Sequence, residues 1–293
     1  MKRSLAKSAG VLIVLLALAA CSDKDSSAGD ASKEPDLGAI AQRVATDDVA
    51  FPLDAYRLTD EQRTSVARAR AGLAASCMKR FGFDIQPPPM STPSRVGGPN
   101  SRVYGIGSLE RAQTYGFHLM ESEKKEPHKQ EEVSPAAVSV MTGKGQASSN
   151  GQEIPEGGCL GEAARLIRKG GPAVADDDYA GALALEASQR AKKDSRLLKA
   201  FSDWSACMRD RGFNYRNPSD PENDRALIAG AEVTGQEISV AVADVECKKT
   251  TNVVGVWFAV DTAYQKQAME QHASELQKAK ETIDAMVRNA GGQ

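Results

Sequence analysis

Cys77-Met78-Lys79-Arg80-Phe81-Gly82-Phe83-Asp84 returns further along the chain as Cys207-Met208-Arg209-Asp210-Arg211-Gly212-Phe213-Asn214. Each copy closes a helical pattern. Val66, Leu73 and Cys77 share one face before the first copy, and Leu197, Phe201, Trp204 and Met208 recur at helical spacing through the second. Thr59 with Gln62 forms a capping-box signature at the start of the first helix, just after Phe51 and Leu53. Basic residues in the last turn suit the helix dipole, and the glycine that follows suits a left-handed stop. Proline comes next in both copies, as Pro87-Pro88-Pro89 and as Pro218 with Pro221. The echo predicts a mainly α fold built from two related helical units.

Each unit has a second cysteine on a helical segment. Cys159 precedes Leu160, Ala163, Ala164 and Ile167, stopped by Gly170-Gly171, and Cys247 lies in a segment that Thr234 and Glu237 open as another capping box. A repeat pairs its own cysteines most simply, which predicts Cys77–Cys159 and Cys207–Cys247 as staples. Zinc is the competing reading. The chain has no Cys-x-x-Cys pair, and its histidines are His118, His128 and His272, none beside a cysteine. No metal and no cofactor is therefore expected.

Between the staples the chain is irregular. Residues 91–102 are rich in Pro, Gly and Ser, and residues 109–115 predict a short helix stopped by Gly116. Residues 121–157 are Lys/Glu-rich and then Ser/Gly-rich, and are expected to be mobile. A weak boundary near residues 170–178 divides a first unit, 51–175, from a second, 176–293. The second unit ends in a long helix over about residues 236–290. Its doubtful part is Thr250-Thr251-Asn252-Val253-Val254-Gly255-Val256, whose β-branched residues and glycine allow a strand or a kink. Helical spacing of Ile238, Val242, Val245, Val253, Val256 and Val260 favours helix. Beyond Tyr264 the apolar seam thins to Met269, Leu276 and Ile283, either an edge packed on its own domain or a partner surface.

The N-terminus reads as an export signal over residues 1–20. Lys2, Arg3 and Lys7 precede the apolar run from Val11 to Leu18, which is shorter than the roughly 20 residues that span a bilayer. Leu18-Ala19-Ala20-Cys21 resembles the lipobox of bacterial lipoproteins, which implies a diacylglycerol thioether on Cys21 and anchoring by two acyl chains. Residues 21–50 are expected to be a lipidated tether. The formal net charge of −2 becomes −5 once Lys2, Arg3 and Lys7 leave with the signal. That balance, without a dense Lys/Arg patch, argues against a nucleic-acid partner.

The lipobox, the Cys-Met…Gly-Phe units and Pro52-Leu53-Asp54-Ala55-Tyr56 occur together with Arg102-Val103-Tyr104-Gly105-Ile106 and Tyr115-Gly116-Phe117-His118. With Trp204 before Cys207 and Asp244-Val245-Glu246-Cys247, the chain resembles a group of secreted actinobacterial lipoproteins for which no activity is established. The resemblance implies an envelope location, at the outer face of the cell membrane, and paired cysteines.

Catalytic signatures are missing. Gly105-Ile106-Gly107-Ser108 approaches a nucleophile elbow, but Leu109 and Glu110 follow where its last glycine belongs, so it reads as a turn capping a short helix. Asp176-Asp177-Asp178 lacks the alternate spacing of a calcium loop and reads as an acidic helix start. His118, among Tyr115, Phe117 and Met120, is the best isolated candidate for chemistry, and a structural histidine bonded to backbone at a loop is the simpler reading of it. Two functions follow: an anchored protein that binds an envelope protein or polymer, or a cell-envelope hydrolase using His118. A deep pocket joining His118 to carboxylates favours the second, and a shallow apolar groove between helices favours the first.

Overall fold

Thr59 opens the first helix as its spacing from Gln62 predicts. Its Oγ1 accepts from the Gln62 N–H at 3.1 Å, and Gln62 Oε1 accepts from the Thr59 N–H at 3.0 Å. In the computed structural model, which describes residues 33–43, 49–85, 100–120, 133–174 and 178–292, α1 then runs Asp60–Arg80. It follows a 3-10 turn at Pro52–Tyr56. The remaining helices are α2 (Leu109–Tyr115), α3 (Pro135–Thr142), α4 (Gly158–Ile167), α5 (Tyr179–Ala191) and α6 (Ser195–Asp210). Two short turns, α7 (Asp220–Asn223) and α8 (Arg225–Ile228), lead into α9 (Gly235–Thr251), α10 (Val253–Gln271) and α11 (Ala273–Gly291). Among the described residues the only strands are Ser148–Ser149 and Gln152–Glu153, paired antiparallel, so the fold is mainly α.

The two echoed segments close their helices identically. After α1 the Phe83 N–H donates to Met78 O at 3.1 Å and the Gly82 N–H to Lys79 O at 3.0 Å; after α6 the Phe213 N–H donates to Met208 O at 3.0 Å and the Gly212 N–H to Arg209 O at 2.9 Å. Gly82 (φ +83°) and Gly212 (φ +87°) hold the left-handed position this closure needs, which a Cβ would strain. Met78 and Met208 are buried, and each following phenylalanine turns back against the core. The disulfides join Cys77 to Cys159 and Cys207 to Cys247, with Cα atoms 5.5 and 5.7 Å apart. Pairing inside each unit is thus what the structure contains.

The main core gathers Trp204 and Met208 of α6, Val240 and Cys247 of α9, and Trp257 and Val260 of α10. A satellite core surrounds the first disulfide. The second half reaches back over the first. α11 packs on α1 and α4, and the Asn289 amide donates to Ile167 O and Lys169 O at 2.8 and 2.9 Å, covering carbonyls left open at the end of α4. Leu276 is fully buried beside Leu53 and Leu183, so the thin seam of α11 packs on its own body.

The long C-terminal helix is present as expected, with joints, and two other expectations need correction. The joints lie at Asn252 (φ +51°) and at His272, so residues 250–256 are helical on both sides of a one-residue break and not a strand. Asn252 tolerates the left-handed conformation and its Oδ1 accepts the Arg43 N–H at 3.0 Å. The tether drawn over residues 21–50 is docked from Glu34 to Arg43. The Glu34 carboxylate accepts the Ser195 N–H at 2.6 Å at the start of α6, Arg196 donates to Pro35 O at 2.9 Å, and Leu37 packs on the main core. Gly255 allows this approach, since a Cβ there would collide with Ala41 O. Finally, the part of the mobile excursion over residues 133–157 forms α3 and the hairpin. Ala137, Val140 and Ile154 bury themselves against Cys77 and Cys159, apolar area that outweighs the polar composition of the stretch. The segment expected to be an export signal, Cys21, Pro87-Pro88-Pro89 and residues 121–132 lie outside the described residues.

Candidate functional site

Residues 100–118, with α2 at their centre, are held on α9 and α10 by buried charged and polar groups. α9 buries a stripe running Glu237, Val240, Ala241, Asp244, Cys247 and Lys248, which is helical spacing carried largely by ionisable side chains. Buried charges are tolerated only when paired and hydrogen-bonded, and each of these has found a partner. Lys248, 1% exposed, donates to Asp244 Oδ2 at 2.7 Å and to Ile106 O at 3.3 Å. Trp204 Nε1 donates to Asp244 Oδ1 at 3.1 Å. Gly105, at φ +77°, lets the backbone pass over this pair; a Cβ would stand 2.9 Å from Lys248 Nζ. Desolvation by burial raises the Asp244 carboxyl to about 6, even though the Lys248 ammonium opposes the shift.

A second lock lies about two turns earlier on α9. Glu237, fully buried, receives the Phe117 N–H at 2.8 Å, and His118 Nδ1 lies 2.8 Å from the same oxygen. The other ring nitrogen, His118 Nε2, lies 3.0 Å from Gly230 O. Both imidazole nitrogens therefore face acceptors, an arrangement that suits the doubly protonated ring. Gly116 (φ +53°) makes room, since a Cβ would come within 2.5 Å of Glu237 Oε1. Glu237 was expected to close a capping box with Thr234. Only half forms: the Glu237 N–H donates to Thr234 Oγ1 at 3.1 Å, while its carboxylate is held by the Phe117–His118 segment.

The third lock is Tyr104, whose hydroxyl donates to Asp261 Oδ2 at 2.7 Å while its ring packs 4.9 Å from Trp257. Burial raises Asp261 to about 6 against the stabilising hydrogen bond from Tyr104, and it holds the phenol well above its usual range.

The arrangement explains the local motifs as architecture. Gly105-Ile106-Gly107-Ser108 is a turn that ends by capping α2, with Ser108 Oγ accepting from the Arg111 N–H at 3.2 Å. Asp178 begins α5 and pairs with Arg57 at 3.2 Å, while Asp176 and Asp177 lie outside the described residues. Among the described residues no group of three His, Cys, Asp or Glu side chains is placed to hold a metal ion, and no helix is long and apolar enough to cross a membrane.

A concavity with a different character lies where α11 packs over the first unit. It is a groove of about 420 Å³ between α1, α4 and α11. Val66, Ala67, Ala71 and Ala74 of α1 line one wall, with Leu160 of α4 and Ile283 and Met286 of α11 opposite. Arg57, Arg63 and Arg70 stand around it with Asp178. His118 is not in its wall. Sequence reading did not find the groove, since its walls come from three separated helices and their alanines carry no signal. Neither a family model, nor a curated protein, nor a solved structure matches this chain.

Proposed function

We propose that this chain is an exported protein anchored to the outer face of the cell membrane by lipid on Cys21, and that its helical body binds an envelope ligand or partner. The observation that carries the binding reading is the apolar groove between α1, α4 and α11, of a volume in the ~300–1,000 Å³ range usual for ligand sites. The hydrolase reading needs His118 free to move a proton, and its ring nitrogens lie 2.8 Å from Glu237 and 3.0 Å from Gly230 O. That geometry supports a structural latch. The anchor rests on Leu18-Ala19-Ala20-Cys21 closing the apolar run, and the resemblance to secreted actinobacterial lipoproteins agrees with it.

Two arms test the proposal in intact cells. Wild type is expected in the membrane fraction and Cys21→Ala in the soluble or secreted fraction; a mature-length Cys21→Ala chain that stays with the membrane contradicts anchoring by this lipid. Crosslinking on the same cells is expected to trap a ligand or partner through the α1 face. Turnover of cell-envelope material that disappears in His118→Ala, with the fold retained, contradicts the binding reading.

A further inference from the structure

The groove has an aliphatic floor and a guanidinium rim, and together they define a ligand class. Arg63, Val66, Ala67, Arg70, Ala71 and Ala74 fall on one stripe of α1. The stripe covers twelve residues, about 16 Å from first to last at 1.5 Å rise each. Its floor, Val66, Ala74, Ile283 and Met286, is buried below the groove and wholly non-aromatic. Alanines at 67, 71 and 74 keep the α1 wall low, so that side offers aliphatic surface without a bulky side chain. Around this groove Arg57 is paired with Asp178 at 3.2 Å and Arg63 with Asp60 at 3.7 Å. Arg70 is exposed and has no ion pair among the described residues. An apolar channel with an uncommitted guanidinium at its edge complements an acyl chain that ends in an anion, since Arg grips a carboxylate in a fork.

We infer that the groove binds a single-chain fatty acid, its alkyl chain lying along Ala67, Ala71 and Ala74 and its carboxylate on Arg70. The inference rests on the reading of the chain as a binding protein and names the ligand of that same groove.

Calorimetric titration of the full chain carrying Cys21→Ala tests it, with dodecanoate as the probe and 1-dodecanol as its uncharged counterpart. Saturable binding of dodecanoate is expected, about tenfold tighter than dodecanol, as loss of a charged hydrogen bond implies. Arg70→Gln is expected to weaken dodecanoate about tenfold and leave dodecanol unchanged. Ala71→Phe, which fills the channel, is expected to abolish both, and Ala67→Phe provides a second block should Ala71→Phe lose its helical circular dichroism. Absence of saturable dodecanoate binding overturns the inference. So does equal affinity for the two probes, or binding that survives a folded channel-filling variant. A protein or polymer trapped on α1 in cells, with no dodecanoate binding, overturns the fatty acid alone; His118-dependent turnover overturns the binding reading beneath it.

Discussion

Replacing Lys248 with Met lowers the stability of the folded chain by roughly 3–5 kcal/mol, because it leaves the Asp244 carboxylate buried without its cation. Asp244 is fully buried, and its other partner, Trp204 Nε1, is neutral. The loss depends on pH. The Asp244 carboxyl is already raised to about 6 by burial, and the Lys248 ammonium holds it from rising further. Without that ammonium it rises more. A carboxyl raised in the folded state takes up a proton before the unfolded one does, so the variant loses stability as pH rises from the unfolded value through the folded one. The deficit relative to wild type is therefore larger at pH 7.5 than at pH 5. Urea denaturation at the two pH values measures it. Equal deficits, or a loss under about 1 kcal/mol, would mean that the pair behaves as a solvated surface ion pair. Adding Asp244→Leu to Lys248→Met recovers part of the loss by removing the stranded charge.

Removing the second staple is the other large effect. Cys207→Ala with Cys247→Ala opens a link between positions 40 residues apart. Restriction of the unfolded chain by a loop of that size stabilises the fold by about 4 kcal/mol. For a body of this size that corresponds to a fall in melting temperature of about 10 °C. The bond sits in the main core, where Cys247 is fully buried and Cys207 packs at the edge, so lost packing adds to the entropy term. Thermal denaturation followed at the helical circular-dichroism band gives the value. On the proposed anchoring through Cys21, membrane association is expected to be unchanged in the same variant. An unaltered melting temperature contradicts the staple's role.

What sequence could and could not show follows from the locality of each signal. Helix ends were legible because capping is local: Thr59 with Gln62, Ser108 ahead of α2, and the glycines at 82, 116 and 212 each act within a few residues. The two cysteine pairs were legible because the echo placed equivalent residues at equivalent helix ends. The buried face of α9 was not. Glu237 showed only as half of a capping box, nothing local marked Asp244 and Lys248 for burial, and only the distant residues 104–118, with Trp204, supply partners that make their burial tolerable. Docking of residues 34–43 was hidden for a related reason. Its polar composition lacks a core of its own and is held by Ser195, Arg196 and Asn252 from elsewhere in the chain. The joint at Asn252 and the glycine at 255, which looked like weak helix formers, are the places where that segment passes.

The sequence echo marks two equivalent helix ends, each closed by its own disulfide at the Cys-Met position. Peptide mapping of the protein under non-reducing conditions reads this pairing directly. Cys77 linked to Cys159 and Cys207 linked to Cys247 are expected, with no free thiol at these four positions. Cys77 linked to Cys207, or Cys159 linked to Cys247, would contradict it.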